Sequence, residues 1–208
     1  MVDAALIQQC ADPGLKPAIV EKFIEKAGSQ DPLSVTVRSG NRVVLVPKPA
    51  NPDEAMALIR QHVGRNMVRV GITQYPAGLG VVDAGELKPD LVDACANLRM
   101  GTALFGKVYR IVTKWYGNAV DEAFEDAIIA WQTGYFEGTA VFRAEDPGKV
   151  ELATPKAEPT PGERDDDSGR RAGEGDEPAG QEVKREEQGD PNKAGIRVDL
   201  SGIGAGKP

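Results

Sequence analysis

Histidine is almost missing from this 208-residue chain and cysteine is scarce: His62 stands alone, and Cys10 and Cys95 are the only thiols. That scarcity excludes a Cys/His zinc site and leaves a Ser-His or Cys-His nucleophile a single histidine to draw on. His62 falls in a polar helical turn and reads as a solvated surface residue. No stretch approaches the roughly 18 consecutive apolar residues of a membrane span. A basic excess is lacking too: 25 Lys and Arg stand against 32 Asp and Glu, for a net charge of -7, so no nucleic acid partner is predicted. The first ten residues carry no basic group and too short an apolar run for a signal peptide. The expected location is the cytoplasm, or the periplasm if another route exports the protein. Nothing in the pattern calls for a cofactor or a metal.

The distribution of aromatics divides what is present. All five Phe, two Trp and four Tyr precede residue 143. Residues 151–208 hold fourteen acidic and nine basic side chains with ten Gly and six Pro. Such a composition cannot bury enough apolar surface to offset the entropy of ordering. The expectation is one folded domain over residues 1–148 and a disordered acidic tail over 149–208, within which Ile196 to Leu200 alternates like a strand able to add to a partner's sheet edge.

Within the body, residues 3–10 and 17–27 read as helices split by Asp12-Pro13-Gly14. Ser34 to Val37 and Arg42 to Val46 read as a β-hairpin. Asn51-Pro52-Asp53-Glu54 opens a third helix as a capping box with Pro at the first helical position. A long helix is predicted over 97–116, and a last one is capped by Asn118, with Phe124, Ala127, Ile128 and Trp131 on its apolar face. The fold class is α+β, mostly helical, with one small β-hairpin.

Residues 69 to 101 are the informative stretch. They hold a glycine-punctuated loop with Gln74 and Tyr75, then a helix entrance with Cys95 and Asn97, which suits a groove wall. The order Gly71-Ile72-Thr73-Gln74, then Asp93-Ala94-Cys95-Ala96-Asn97-Leu98-Arg99-Met100-Gly101, then Ala130-Trp131-Gln132-Thr133-Gly134 resembles the lysozyme-like lytic transglycosylases of type IV secretion systems. More closely, the body resembles the TraH conjugal transfer family. These resemblances imply a lysozyme-like domain in plasmid conjugation, with a peptidoglycan glycan strand or a conjugation-machinery protein as partner. Cys10 and Cys95 match the positions of a bridge in the transglycosylases, and the alternative is two buried thiols.

The departures carry as much meaning. Aligned on Pro32, the catalytic Glu of the transglycosylases falls at Ala27, and its neighbouring Ser at Gly28. That reaction needs a carboxyl group to protonate the glycosidic oxygen, and alanine has none. The Asn that ends the family's loop motif is Pro76 here. Glu25 lies two residues upstream, a rotation of about 200° to the opposite helix face, and otherwise reads as a solvated neighbour of Lys22 and Lys26. Gln74, Tyr75, Trp131 and Gln132 are candidate ligand contacts, because amides match sugar hydroxyls and a Trp face stacks on a sugar ring. The competing reading makes Trp131 core and both Gln residues partners of loop backbone. Three readings result: a non-catalytic accessory protein of conjugal transfer, an active lytic transglycosylase using Glu25, and a cytoplasmic adaptor working through the acidic tail.

Overall fold

The computed structural model describes residues 2–155. The alternating segment at 196–200 and most of the acidic tail fall outside those residues. Five helices and small antiparallel sheets make the fold α+β. Helix α1 (Ala4–Cys10) is capped by Asp3, whose carboxylate accepts from the Ala5 amide. Helix α2 (Pro17–Ala27) starts on proline and buries Ile19, Val20, Phe23 and Ile24. Strands β1 (Val35–Ser39) and β2 (Arg42–Val44) form the expected hairpin around Gly40, whose φ of 56° suits glycine. Asn51 caps α3 (Pro52–His62) through the Glu54 amide, and the Glu54 carboxylate returns to the Ala50 amide. This reciprocal arrangement satisfies orphan donors at the helix start.

The single hairpin turns out to be half of a larger sheet. β3 (Met67–Val70) pairs with β1, and β4 (Tyr75–Pro76) pairs with β3, so the strand order is β2-β1-β3-β4, antiparallel throughout. Two 3-10 turns, Ala84–Glu86 and Pro89–Leu91, lead into α4 (Ala94–Tyr116). That helix begins three residues before its expected start because Asp93, rather than a later residue, caps it through the Ala96 amide. Helix α5 (Asp121–Thr133) is entered from Val120 with no side-chain cap, which corrects the role assigned to Asn118. A hairpin of β5 (Tyr135–Phe136) and β6 (Thr139–Ala140) follows.

Two apolar cores result. The helical core gathers α1, α2, α4 and α5 around an aromatic centre in which Phe23 stacks on Phe105 at 4.0 Å and meets Trp131 edge-on at 5.1 Å. The sheet core packs Val37, Val68 and Val70 against Ala55 and Ile59 of α3, with Leu87 and Leu91 closing its far side. Cys10 and Cys95 are joined in a disulfide that ties the end of α1 to the start of α4. Residues 149–155, grouped with the tail on composition, lie against the helical core: Leu152 packs on it, and the Tyr109 hydroxyl donates to the Ala153 carbonyl at 2.8 Å.

Candidate functional site

The loop from Val70 to Tyr75 lies at the seam between the two cores, and Tyr75 packs against both. Its shape follows from Asn97, which is fully buried on α4. The Asn97 side-chain oxygen accepts from the Thr73 amide at 3.0 Å and from the Thr73 hydroxyl at 2.9 Å. Its amide nitrogen donates to the carbonyls of Val70 at 3.0 Å and Leu91 at 2.9 Å. Gly71 adopts φ 73°, and a Cβ there would meet the Asn97 side chain. One helical turn on, a Cβ at Gly101 would strike the Thr73 side chain. The spacing Asn97-x-x-x-Gly101 is therefore a packing device: one residue latches the loop and the next turn makes room for it.

The end of α2 reaches the same loop. The Ser29 amide donates to the Ile72 carbonyl at 2.7 Å, and a Cβ on Gly28 would lie 2.6 Å from that carbonyl oxygen. Ala27, the position at which the resemblance implies a catalytic carboxylate, is thus half-buried beside the Gly71–Gln74 loop. Glu25 is turned elsewhere. It is exposed, bonded to Lys22 at 2.9 Å, and lines a groove of about 800 Å3 whose walls include Ile7, Ala18 and Ile24 and reach Gly28 and Ser29, but not Gln74, Tyr75, Trp131 or Gln132.

The four candidate contacts are in different circumstances. Gln74, in the left-handed region at φ 52°, spends its side-chain amide on Ser34 Oγ at 3.2 Å and the Gly71 carbonyl at 3.0 Å. Trp131 is 1% exposed within the aromatic centre, and its indole N–H donates to the Thr73 carbonyl at 3.2 Å. The ring-stacking role offered for it is corrected accordingly, since neither of its faces meets solvent. Gln132 is exposed and reaches the Lys26 carbonyl at 3.5 Å. Tyr75 is half-buried, and burial raises its phenol above the ordinary value.

What brings these residues together is Arg69, to which the sequence reading assigned no role. Its guanidinium donates to the carbonyls of Trp131 at 2.6 Å, Gln132 at 3.1 Å and Gln74 at 3.3 Å. It lies 5.6 Å from the Trp131 ring centre and 5.2 Å from that of Phe142. Two of those carbonyls belong to the last turn of α5, where a cation meets the negative end of the helix dipole. Arg69 is 6% exposed. Burial, and then the like charge of Arg38, bring its pKa down to about 10, so it stays a cation at neutral pH. The signal for it was an arginine inside a β-branched run, Met67-Val68-Arg69-Val70, just before Gly71.

The TraH_2 family model matches residues 1–205. The chain belongs to the TraH_2 family. This membership agrees with the resemblance to TraH proteins and carries a role connected with plasmid conjugal transfer. One relative, the "Uncharacterized protein y4dP" of Sinorhizobium fredii (strain NBRC 101917 / NGR234), is 60% identical over 153 residues, or 71% of this chain and 76% of that protein. No solved structure matches the chain. Among the described residues of this TraH_2 protein, no helix is long and apolar enough to cross a membrane and no acidic or Cys/His cluster is arranged to hold a metal ion.

Proposed function

We propose that this chain is a non-catalytic component of plasmid conjugal transfer that acts by binding, built on a transglycosylase-like arrangement that lacks an acid. The observation that carries the reading is Ala27, one residue before the Gly28–Ser29 contact with the Ile72 carbonyl, with Glu25 exposed and engaged by Lys22. A glycosidic oxygen held at the Gly71–Gln74 loop would have no carboxyl group at the Ala27 position to protonate it. The ligand in this reading is a glycan strand of peptidoglycan, or a protein of the secretion machinery, met by Gln132, Gln74 and Tyr75, the three candidate contacts that keep accessible surface. The disulfide favours an oxidising compartment such as the periplasm.

Incubating the purified protein with peptidoglycan tests the reading. No anhydromuropeptides should be released, while the protein should co-sediment with the sacculi and do so less after Gln132→Ala. Release by the wild type, abolished in Glu25→Gln, would establish the active transglycosylase instead. Thiol labelling in fractionated cells should find Cys10 and Cys95 unreactive and the protein outside the cytoplasm.

A further inference from the structure

Beside Arg69 lies a groove of about 270 Å3 between the β3–β4 hairpin and the C-terminal end of α5. Val68, Pro76, Leu79 and Phe142 give it apolar walls, Arg69 and Arg143 line it too, and none of its lining residues is acidic. Arg143 is exposed. Arg69 is not, and of the five N–H groups of a guanidinium three go to backbone carbonyls and none to a carboxylate. A buried cation is costly unless paired. Carbonyl dipoles and two aromatic faces offset only part of that cost.

Arg38 adds to the imbalance. The register sets Thr36 opposite Arg69 and Arg38 opposite Met67, so Arg38 and Arg69 are diagonal neighbours on one face of the sheet. Their repulsion contributes to the lowered pKa of Arg69. Two arginines, Arg69 and Arg143, therefore line a small apolar groove with no acidic residue in its lining, and the exposed Arg38 adds positive charge beside Arg69.

We propose that this groove captures the free carboxylate at the end of a polypeptide whose last side chain is apolar. Arg69 has both Nη2 hydrogens engaged and keeps Nε–H, so the planar fork that matches a carboxylate is that of the exposed Arg143; capture of a terminal carboxylate is a recurrent recognition mode. Size narrows the choice: the groove falls just under the ~300–1,000 Å3 of ordinary ligand pockets, which suits one terminal residue and not an oligosaccharide. Its apolar walls favour an aliphatic or aromatic side chain over a bare inorganic anion. The site is independent of whether the Gly71–Gln74 loop binds glycan.

The test uses the full-length protein labelled with 15N and follows the Arg69 Nε–H resonance during titration with N-acetyl-leucine, its amide, or inorganic phosphate. N-acetyl-leucine should shift the resonance saturably, and the amide should bind about tenfold more weakly, the value of one charge-assisted hydrogen bond. Arg38→Gln combined with Arg143→Gln, both on the surface and compatible with folding, should weaken N-acetyl-leucine by a similar factor. Equal binding of acid and amide, tighter binding of phosphate, an unchanged affinity in the double variant, or no saturable shift at all would each overturn the proposal.

Discussion

Asn97 spends its whole hydrogen-bonding capacity inside the protein, two bonds accepted from Thr73 and two donated to Val70 and Leu91. Replacing it with alanine strands a buried amide and two buried carbonyls, each worth about 1–3 kcal/mol when left unmade. Asn97→Ala should lower stability by about 3 kcal/mol and Tm by roughly 6–12 °C, read from urea and thermal unfolding. Tyr109 gives a prediction of the opposite kind, in which a proton and not a contact is removed. Burial, assisted by Asp121, pushes its phenol up to about 12, against an ordinary value of 10.0. Because the folded pKa is the higher one, the stabilisation is complete below about pH 10 and is lost as pH rises towards 12. A phenolate absorbance titration should show one tyrosine titrating near 12, with unfolding becoming easier over that window. Neither residue advertises its role in the chain. Asn97 came to notice through motif order, and Tyr109 reads only as one more aromatic at helical spacing.

Helix α4 shows how two glycines in one element differ. At Gly101 an added Cβ runs into Thr73 Cβ, Cγ2 and Oγ1, part of the latched loop and unable to withdraw. At Gly106 the nearest atom is the far end of the Arg110 side chain at 3.2 Å, then Leu15 at 3.5 Å. Alanine improves helix propensity at either site by up to about 1 kcal/mol. Gly101→Ala should nevertheless destabilise by about 2–3 kcal/mol, whereas Gly106→Ala should stay within about 1 kcal/mol of wild type; denaturant midpoints of the two variants make the comparison. Elements with strong local signals were legible: α2 ends where its Gly28 punctuation says, and α3 is announced by its capping box. Strand β3 was not, because charged residues are assigned to surfaces and Arg69 breaks the apolar pattern. Its burial depends on the carbonyls of α5, 62 residues away in the chain. Strand β4 has only two residues, Tyr75 and Pro76, too few for any periodicity to register.

At the scale of the molecule, the disulfide closes a separation of 85 residues. In the chain-entropy model a loop of that length contributes about 4 kcal/mol by restricting the unfolded chain. Reduction should therefore lower the urea midpoint markedly, with Cys10→Ser, Cys95→Ser matching the reduced protein. Composition and the lack of a recognisable signal peptide favoured two buried thiols, and only the resemblance to the transglycosylases pointed to a pair. The seam between the two cores was invisible in the same way, since its crossings join residues distant in sequence. Asn97 reaches from α4 into the sheet side, Arg69 reaches back to α5, and Ser29 takes the Ile72 carbonyl. Enzymes that process polymers commonly breathe, with one lobe closing on the substrate to exclude water and release following reopening. Fastening at several places stiffens this molecule against such a stroke. In the binding role proposed above its recognition surfaces would be preformed, so a ligand would meet little reorganisation cost, its arrival would leave the backbone nearly unchanged, and residence time would be set by the contacts themselves rather than by a gate.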